Sequence, residues 1–187
     1  GISIQGDSGQ FAAIARVIAL QRIIQRNSIT SNGLGIFVGV SSCEILDNVI
    51  NIGTGQDSSK SRGIVLLADR CTISNNAIQA INLNQNTVVL GGIYLALSAR
   101  RDETAYDQID ILHNKIIGGA QNGIEIGSNI NGLVIEGNEI AGMGLNGIAV
   151  QNQVSDVNAL RIAANHIHDC QLLVGNGASN WWRYAGI

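Results

Sequence analysis

The densest set of reactive side chains in this 187-residue sequence gathers around Tyr94: Asp69 and Arg70 before it, then Arg100, Arg101, Asp102 and Glu103, then Glu125. Two chemistries suit those residue types. β-Elimination beside a carboxylate needs a cation to neutralise it, a base such as Lys, Arg or Tyr to take the proton, and an acid for the leaving oxygen. Arg100, Arg101 and Glu125 are the candidate catalytic residues on that reading. Glycoside hydrolysis needs two carboxylates facing one bond, and Asp69, Asp102 and Glu125 could supply the pair. No motif fixes the geometry of either set, and a solvated loop of paired charges accounts for the same residues.

Two further groups invite chemistry. His166 and His168 are two apart, so on a strand they face the same way, with Asp169 or Cys170 as a further ligand. In the repeats described next, however, the position of His166 is held by Ser28, Val49, Ala77, Lys115 and Glu139. That is a surface column of no fixed type, and no metal or cofactor is expected. Cys43 and Cys71 fall in one inward column of consecutive repeats, close enough for a disulfide. Stacked side chains point in parallel, and Ile109, Leu133 and Leu160 fill the same slot elsewhere, so both read as small buried hydrophobes.

What must position these residues is a repeat. The pattern apolar-x-x-Asn-x-Ile occurs six times: Ile24/Asn27/Ile29, Ile45/Asn48/Ile50, Ile73/Asn76/Ile78, Ile111/Asn114/Ile116, Ile135/Asn138/Ile140 and Ile162/Asn165/Ile167. Five rows are followed by a Gly-Ile strand beginning at Gly35, Gly63, Gly92, Gly123 or Gly147. Successive Asn residues are 21, 28, 38, 24 and 27 apart. A period in the low twenties with insertions is the mark of a solenoid. Alternation along each strand sends Ile and Val columns inward, stacked about 4.8 Å apart. The Asn column marks a corner, its amide bonding to the corner backbone or to the Asn above and below. The Gly before each Ile is expected to supply a bend.

The insertions are uneven. Corner Asn to Gly-Ile takes 8 or 9 residues in three coils, but 15 from Asn48 to Gly63 and 16 from Asn76 to Gly92. Long connections, residues 53–61 and 82–89, therefore stack on adjacent coils, and a third excursion runs from 98 to 107. Such loops on a rigid scaffold are where binding sites usually sit. Outward positions of the Gly-Ile sheet stack as Phe37, Val65, Tyr94, Glu125 and Ala149, with Leu67 and Gln151 among those two residues on. Phe37, Leu67, Asp69, Arg70, Tyr94 and Asp102 are the candidate carbohydrate- or partner-binding residues. An apolar stripe from Phe37 to Tyr94 is equally consistent with a face that another segment covers.

Composition agrees with one narrow aliphatic core: 45% hydrophobic residues, only 4% aromatic, 23 Gly and no Pro. A single domain over 1–187 is expected. The net charge of -3 gives no field to attract a phosphate backbone, which argues against nucleic acid. No apolar run is long enough to span a bilayer as a helix. Three Cys without a CxxC or zinc spacing fix neither a metal framework nor a redox compartment.

The repeated Asn and Gly-Ile rows resemble the parallel β-helix repeats of the pectin-lyase-like superfamily, over essentially the whole chain. The resemblance implies an all-β, right-handed parallel β-helix of about six coils; within 7–20 the spacing of Ala12, Ile14, Ala15, Ile18 and Ala19 allows a short amphipathic capping helix. The opening Gly1-Ile2-Ser3-Ile4 and the closing Ala185-Gly186-Ile187 fit further Gly-Ile strands, so a slice of a longer protein is expected. The superfamily's members include polysaccharide lyases, glycoside hydrolases, uronate epimerases and phage tailspikes. The calcium-binding Asp set of pectate-lyase relatives is not visible. With no convincing catalytic constellation and an apparent slice at both ends, the expectation is a non-catalytic scaffold or binding module, which the resemblance would set in an extracellular, surface or virion-like protein, taking polysaccharide or a protein partner and open to homo-oligomeric association. The alternative is a polysaccharide-processing enzyme.

Overall fold

A computed structural model describes residues 3–5, 23–53, 61–81, 90–96, 105–151 and 154–170. All regular structure among them is β, in three parallel sheets wound as a solenoid. The pre-corner sheet holds the strands that lead into each corner Asn: β2 (Ile23–Gln25), β5 (Glu44–Leu46), β8 (Cys71–Ser74), β11 (Tyr106–Leu112), β14 (Ile130–Glu136) and β17 (Val157–Ala163). The post-corner sheet holds those that leave it: β1 (Ser3–Gln5), β3 (Ser28–Ser31), β6 (Val49–Ile52), β9 (Ala77–Ala80), β12 (Lys115–Gly119), β15 (Glu139–Met143) and β18 (His166–His168). The Gly-Ile sheet holds β4 (Leu34–Val38), β7 (Ser61–Leu66), β10 (Leu90–Leu95), β13 (Ile124–Ile126) and β16 (Ile148–Val150). That third sheet holds five strands, so the chain winds about four full turns from β4 to β16, fewer than the six rows of Asn suggest. The helix expected within 7–20 lies outside the described residues.

The predicted registers hold. Ile24, Ile45, Ile73, Ile111, Ile135 and Ile162 pair in sequence, as do Ile29, Ile50, Ile78, Ile116, Ile140 and Ile167. With Ile36, Ile64, Ile93, Ile124 and Ile148 from the third sheet they form one continuous core. β-Branched side chains suit this arrangement, since a pleated strand leaves them a preferred rotamer and each packs on its own kind one coil away.

Each corner has a backbone signature. The residue before every corner Asn has positive φ: Arg26, Asp47, Asn75, His113 and Ala164 between 51° and 56°, and Gly137 at 67°. A second left-handed residue directly precedes the column Cys43, Cys71, Ile109, Leu133 and Leu160, at Ser42, Arg70, Gln108, Gly132 and Ala159. Most of these are not glycine. The strain is held in place by the Asn that follows the first corner. Asn48 Nδ2 donates to Asn76 Oδ1 (2.9 Å) and to the Ile24 carbonyl (2.9 Å), and its backbone N donates to the same Oδ1 (3.0 Å). The scheme repeats along Asn27, Asn48, Asn76, Asn114, Asn138 and Asn165. From Asn27 to Asn138 each Nδ2 donates to the Oδ1 of the next Asn toward the C-terminal end, while Asn48, Asn76, Asn114, Asn138 and Asn165 also donate to an isoleucine carbonyl one coil back.

The glycines of the Gly-Ile strands do something other than bend the chain. None of Gly35, Gly63, Gly92, Gly123 and Gly147 has positive φ; instead a Cβ on each would strike the Cγ2 of the post-corner isoleucine one coil on, namely Ile50, Ile78, Ile116, Ile140 and Ile167. The expectation of a conformational bend is corrected to one of space: the side chain is missing so that the third sheet can close against the second.

Candidate functional site

The steric role of those glycines decides what faces outward. Gly63 and Ile64 are adjacent, and both face the core. Strict alternation back from Ile64 would point Arg62 inward; the doubled inward step at Gly63 turns it out. Arg62 thus lies on the outer face of the Gly-Ile sheet, opposite Gly91 of the next coil. Its chain runs across Gly91, where a Cβ would meet Arg62 Cδ and Nε. The guanidinium lies 5.5 Å from the centre of the Tyr94 ring and reaches Glu125, two coils away, with Nη2 at 3.4 Å from Oε2. Nη1 donates to the Ser61 carbonyl at 3.0 Å.

Glu125 is held from its other side as well. Gln151 Nε2 donates to Glu125 Oε1, so the two carboxylate oxygens have different partners. Glu125 is only 8% exposed although it faces outward. Tyr94 pairs with Val65 on one side and Glu125 on the other, and its ring lies over Gly127. Burial first, and the nearby Glu125 carboxylate second, push its phenol above the ordinary value of 10.0; a hydrogen bond from Gln151 and the Arg62 charge oppose the shift. Arg62, Tyr94, Glu125 and Gln151 therefore form one polar platform over four coils, floored by Gly91 and Gly127.

The other predicted residues are placed as follows. Phe37 lies on β4, beside Val65, and is half-buried, as is Leu67 directly after β7. Val65 between them is 7% exposed, so the expected apolar stripe is interrupted by a buried residue. Asp69 and Arg70 follow, with Arg70 Nη2 at 3.6 Å from Asp69 Oδ1, an ion pair too long for a hydrogen bond. That Oδ1 is buried and has no hydrogen-bond partner among the described residues. In the next coil the backbone neighbour of Arg70 is Asp107, whose carbonyl accepts from Arg70 N at 2.7 Å. Arg100, Arg101 and Asp102 lie outside the described residues, as do the connections 54–60 and 82–89. Of the predicted set, the structure brings together Tyr94 and Glu125, with Arg62 and Gln151 completing the group.

Sequence reasoning named Gln151 only as an outward position and missed Arg62. The usable signal for Arg62 was the rule that Gly and Ile both face in, which would have reset the phase of the strand.

The remaining candidates are ordinary surface or core. Glu44, Thr72, Asp110, Val134 and Arg161 stack on the pre-corner sheet, and Arg161 bonds Glu136 (2.9 Å) while Lys115 bonds Glu139 (3.0 Å) between coils. The His166 and His168 rings lie 4.5 Å apart, and His168 Nδ1 is 2.8 Å from Asp169 Oδ2. No group of three or more His, Cys, Asp or Glu side chains among the described residues could hold a metal ion. No described helix is long and apolar enough to cross a membrane.

No family model matches this chain, and no curated protein or solved structure matches it significantly.

Proposed function

We propose that this chain is a non-catalytic β-helix binding module whose outer Gly-Ile face, around Tyr94, takes a carbohydrate or a protein partner, with carbohydrate the better fit. The observation that supports this is the condition of Glu125. A general acid or base must bring an oxygen within hydrogen-bond reach of a substrate proton, and Glu125 is only 8% exposed. In Glu125 one oxygen is engaged by Arg62 and the other by Gln151. The same four residues suit recognition. A half-buried phenol ring and a primary amide can meet the apolar face and the hydroxyls of a sugar, with the largely buried Arg62 guanidinium set against the ring and the carboxylate. Glycines beneath them keep the surface shallow enough for a ring to approach.

A glycan array probed with the whole chain, followed by calorimetry on the hits, tests the proposal. Tyr94→Ala and Arg62→Gln are each expected to weaken binding by about tenfold, the scale of one lost aromatic or cation–π contact. Binding untouched by both substitutions would move the site elsewhere. The enzymatic alternative is tested on a panel of uronate and neutral polysaccharides, following unsaturated products in the ultraviolet and new reducing ends. Turnover that disappears in Glu125→Ala or Arg101→Ala would replace the binding reading with a lyase, hydrolase or epimerase.

A further inference from the structure

The two cysteines left out of the platform sit at equivalent corners of consecutive coils. Cys43 enters β5 and Cys71 opens β8, each directly after a left-handed residue, Ser42 or Arg70. Thr72 N donates to the Cys43 carbonyl at 2.9 Å, and Ser42 N donates to the Asp69 carbonyl at 2.9 Å, so hydrogen bonds brace both sides of the corner. Neighbouring strands of a sheet hold paired Cα atoms at roughly 4.8 Å, within the roughly 4.4–6.8 Å that a disulfide spans. Parallel side chains would keep the sulfurs about as far apart as the strands. Here they turn toward each other: Cys43 Sγ lies 2.7 Å from Cys71 Sγ, well inside the separation of two unbonded sulfurs. Both residues are buried, at 3% and 1% exposed. In the coils beyond, the slot holds Ile109, Leu133 and Leu160, so among the described residues two small side chains stack here where large aliphatic ones fill the rest of the column.

We propose that Cys43 and Cys71 are a redox couple that closes to a disulfide staple between adjacent coils. The oxidant is a low-molecular-weight disulfide. One cysteine thiolate attacks it, displacing one thiolate and leaving a mixed disulfide. The second cysteine thiolate then attacks the protein sulfur of that mixed disulfide and displaces the other small thiolate. Two protein thiols are oxidised, one small disulfide is reduced to two thiols, and the two protons pass to solvent or to the products. The hydrogen bond from Cys43 lowers the Cys71 thiol below its ordinary value of 9.0, which favours the attacking form. Because both sulfurs are buried, the bond forms as the chain folds or when the corner opens. The staple closes a segment of 28 residues, which restrains the unfolded chain.

The test uses the whole chain, refolded in parallel in reduced and in oxidised glutathione. Each sample is quenched in acid, denatured and alkylated, then measured by intact mass and by non-reducing tryptic mapping. The expected result in oxidised buffer is one alkylation instead of three, with the peptide 27–60 joined to the peptide 71–100 and Cys170 carrying the label. The melting temperature should exceed that of the reduced sample by about 5–10 °C. Cys170→Ser should retain the joined peptides, and Cys43→Ala should leave Cys71 alkylated. Three alkylations in oxidised buffer, glutathione adducts without joined peptides, or joining of either cysteine to Cys170 would each overturn the proposal. The mapping is carried out on denatured chains, so a variant that folds poorly does not obscure it.

Discussion

At the scale of single residues the chain's chemistry turns on how Tyr94 is surrounded. Desolvation of a phenol disfavours its anion, and the Glu125 carboxylate beside it does the same. The folded state therefore keeps the Tyr94 proton to higher pH than the unfolded state. Wherever the folded state binds the extra proton, stability falls as pH rises. The contribution of Tyr94 is fully present below about pH 10 and is lost as pH climbs through the raised folded value. An ultraviolet difference titration should show the step missing in Tyr94→Phe to lie above the value of a free tyrosine. A step at or below that value would mean that the ring is neither buried nor beside Glu125 as described. Arg62 makes the complementary point about what a sequence reveals. It was hidden because period-two reasoning carries an outward or inward assignment back along a strand without interruption, and Gly63 interrupts it. The Asn column, by contrast, was legible because its spacing to the flanking isoleucines never varies.

At the scale of the element, that column gives the corner its stability. Asn114 is 1% exposed; its Oδ1 accepts from the Asn76 backbone N and Nδ2, and its own Nδ2 donates to Asn138 Oδ1 and the Ile73 carbonyl. Replacing it with Ala would remove the acceptor of the Asn76 backbone N–H and the side-chain donor to the Ile73 carbonyl, in a buried position next to His113, whose φ is 55°. Each unsatisfied buried group costs about 1–3 kcal/mol, so Asn114→Ala is expected to lower unfolding free energy by about 3–5 kcal/mol in urea denaturation. Asn27 lies at the described start of the ladder and is less buried, and Asn27→Ala should cost less than half as much. Equal losses at both positions would remove the ladder as the source of the effect. A second, shorter ladder joins Asn146 to Asn122, with both donors of Asn146 directed to Asn122 Oδ1, toward the N-terminal end. The sequence contains its signal, since each Asn directly precedes a Gly-Ile pair, but two occurrences carry far less weight than six.

Over the whole molecule, register survives changes in connection length. Ile36, Ile64, Ile93 and Ile124 stay in pairing order although the paths that lead to them differ by up to eight residues. Loop closure depends only weakly on length, whereas a one-residue slip inside a strand sends every side chain to the wrong face. Inserting Gly-Ser between Ala120 and Gln121 is therefore expected to cost about 1 kcal/mol or less, and inserting one Ala between Asp110 and Ile111 to abolish cooperative thermal unfolding. A large loss from the first or tolerance of the second would contradict the solenoid register. These contrasts also mark the limit of reading such a chain from its letters: the columns that repeat announce themselves, while the connections, which obey no column, do not.

The corner Asn and the left-handed residue before it have one more consequence. They act as punctuation. Whatever the chain does between one Gly-Ile strand and the next pre-corner strand, the Asn restores the phase before the following strand begins, so an error of length is contained within the coil where it arises. A protein written this way can gain, lose or lengthen a segment and still be read correctly from the next corner onward. That leaves its connections free to diverge while its core stays the same.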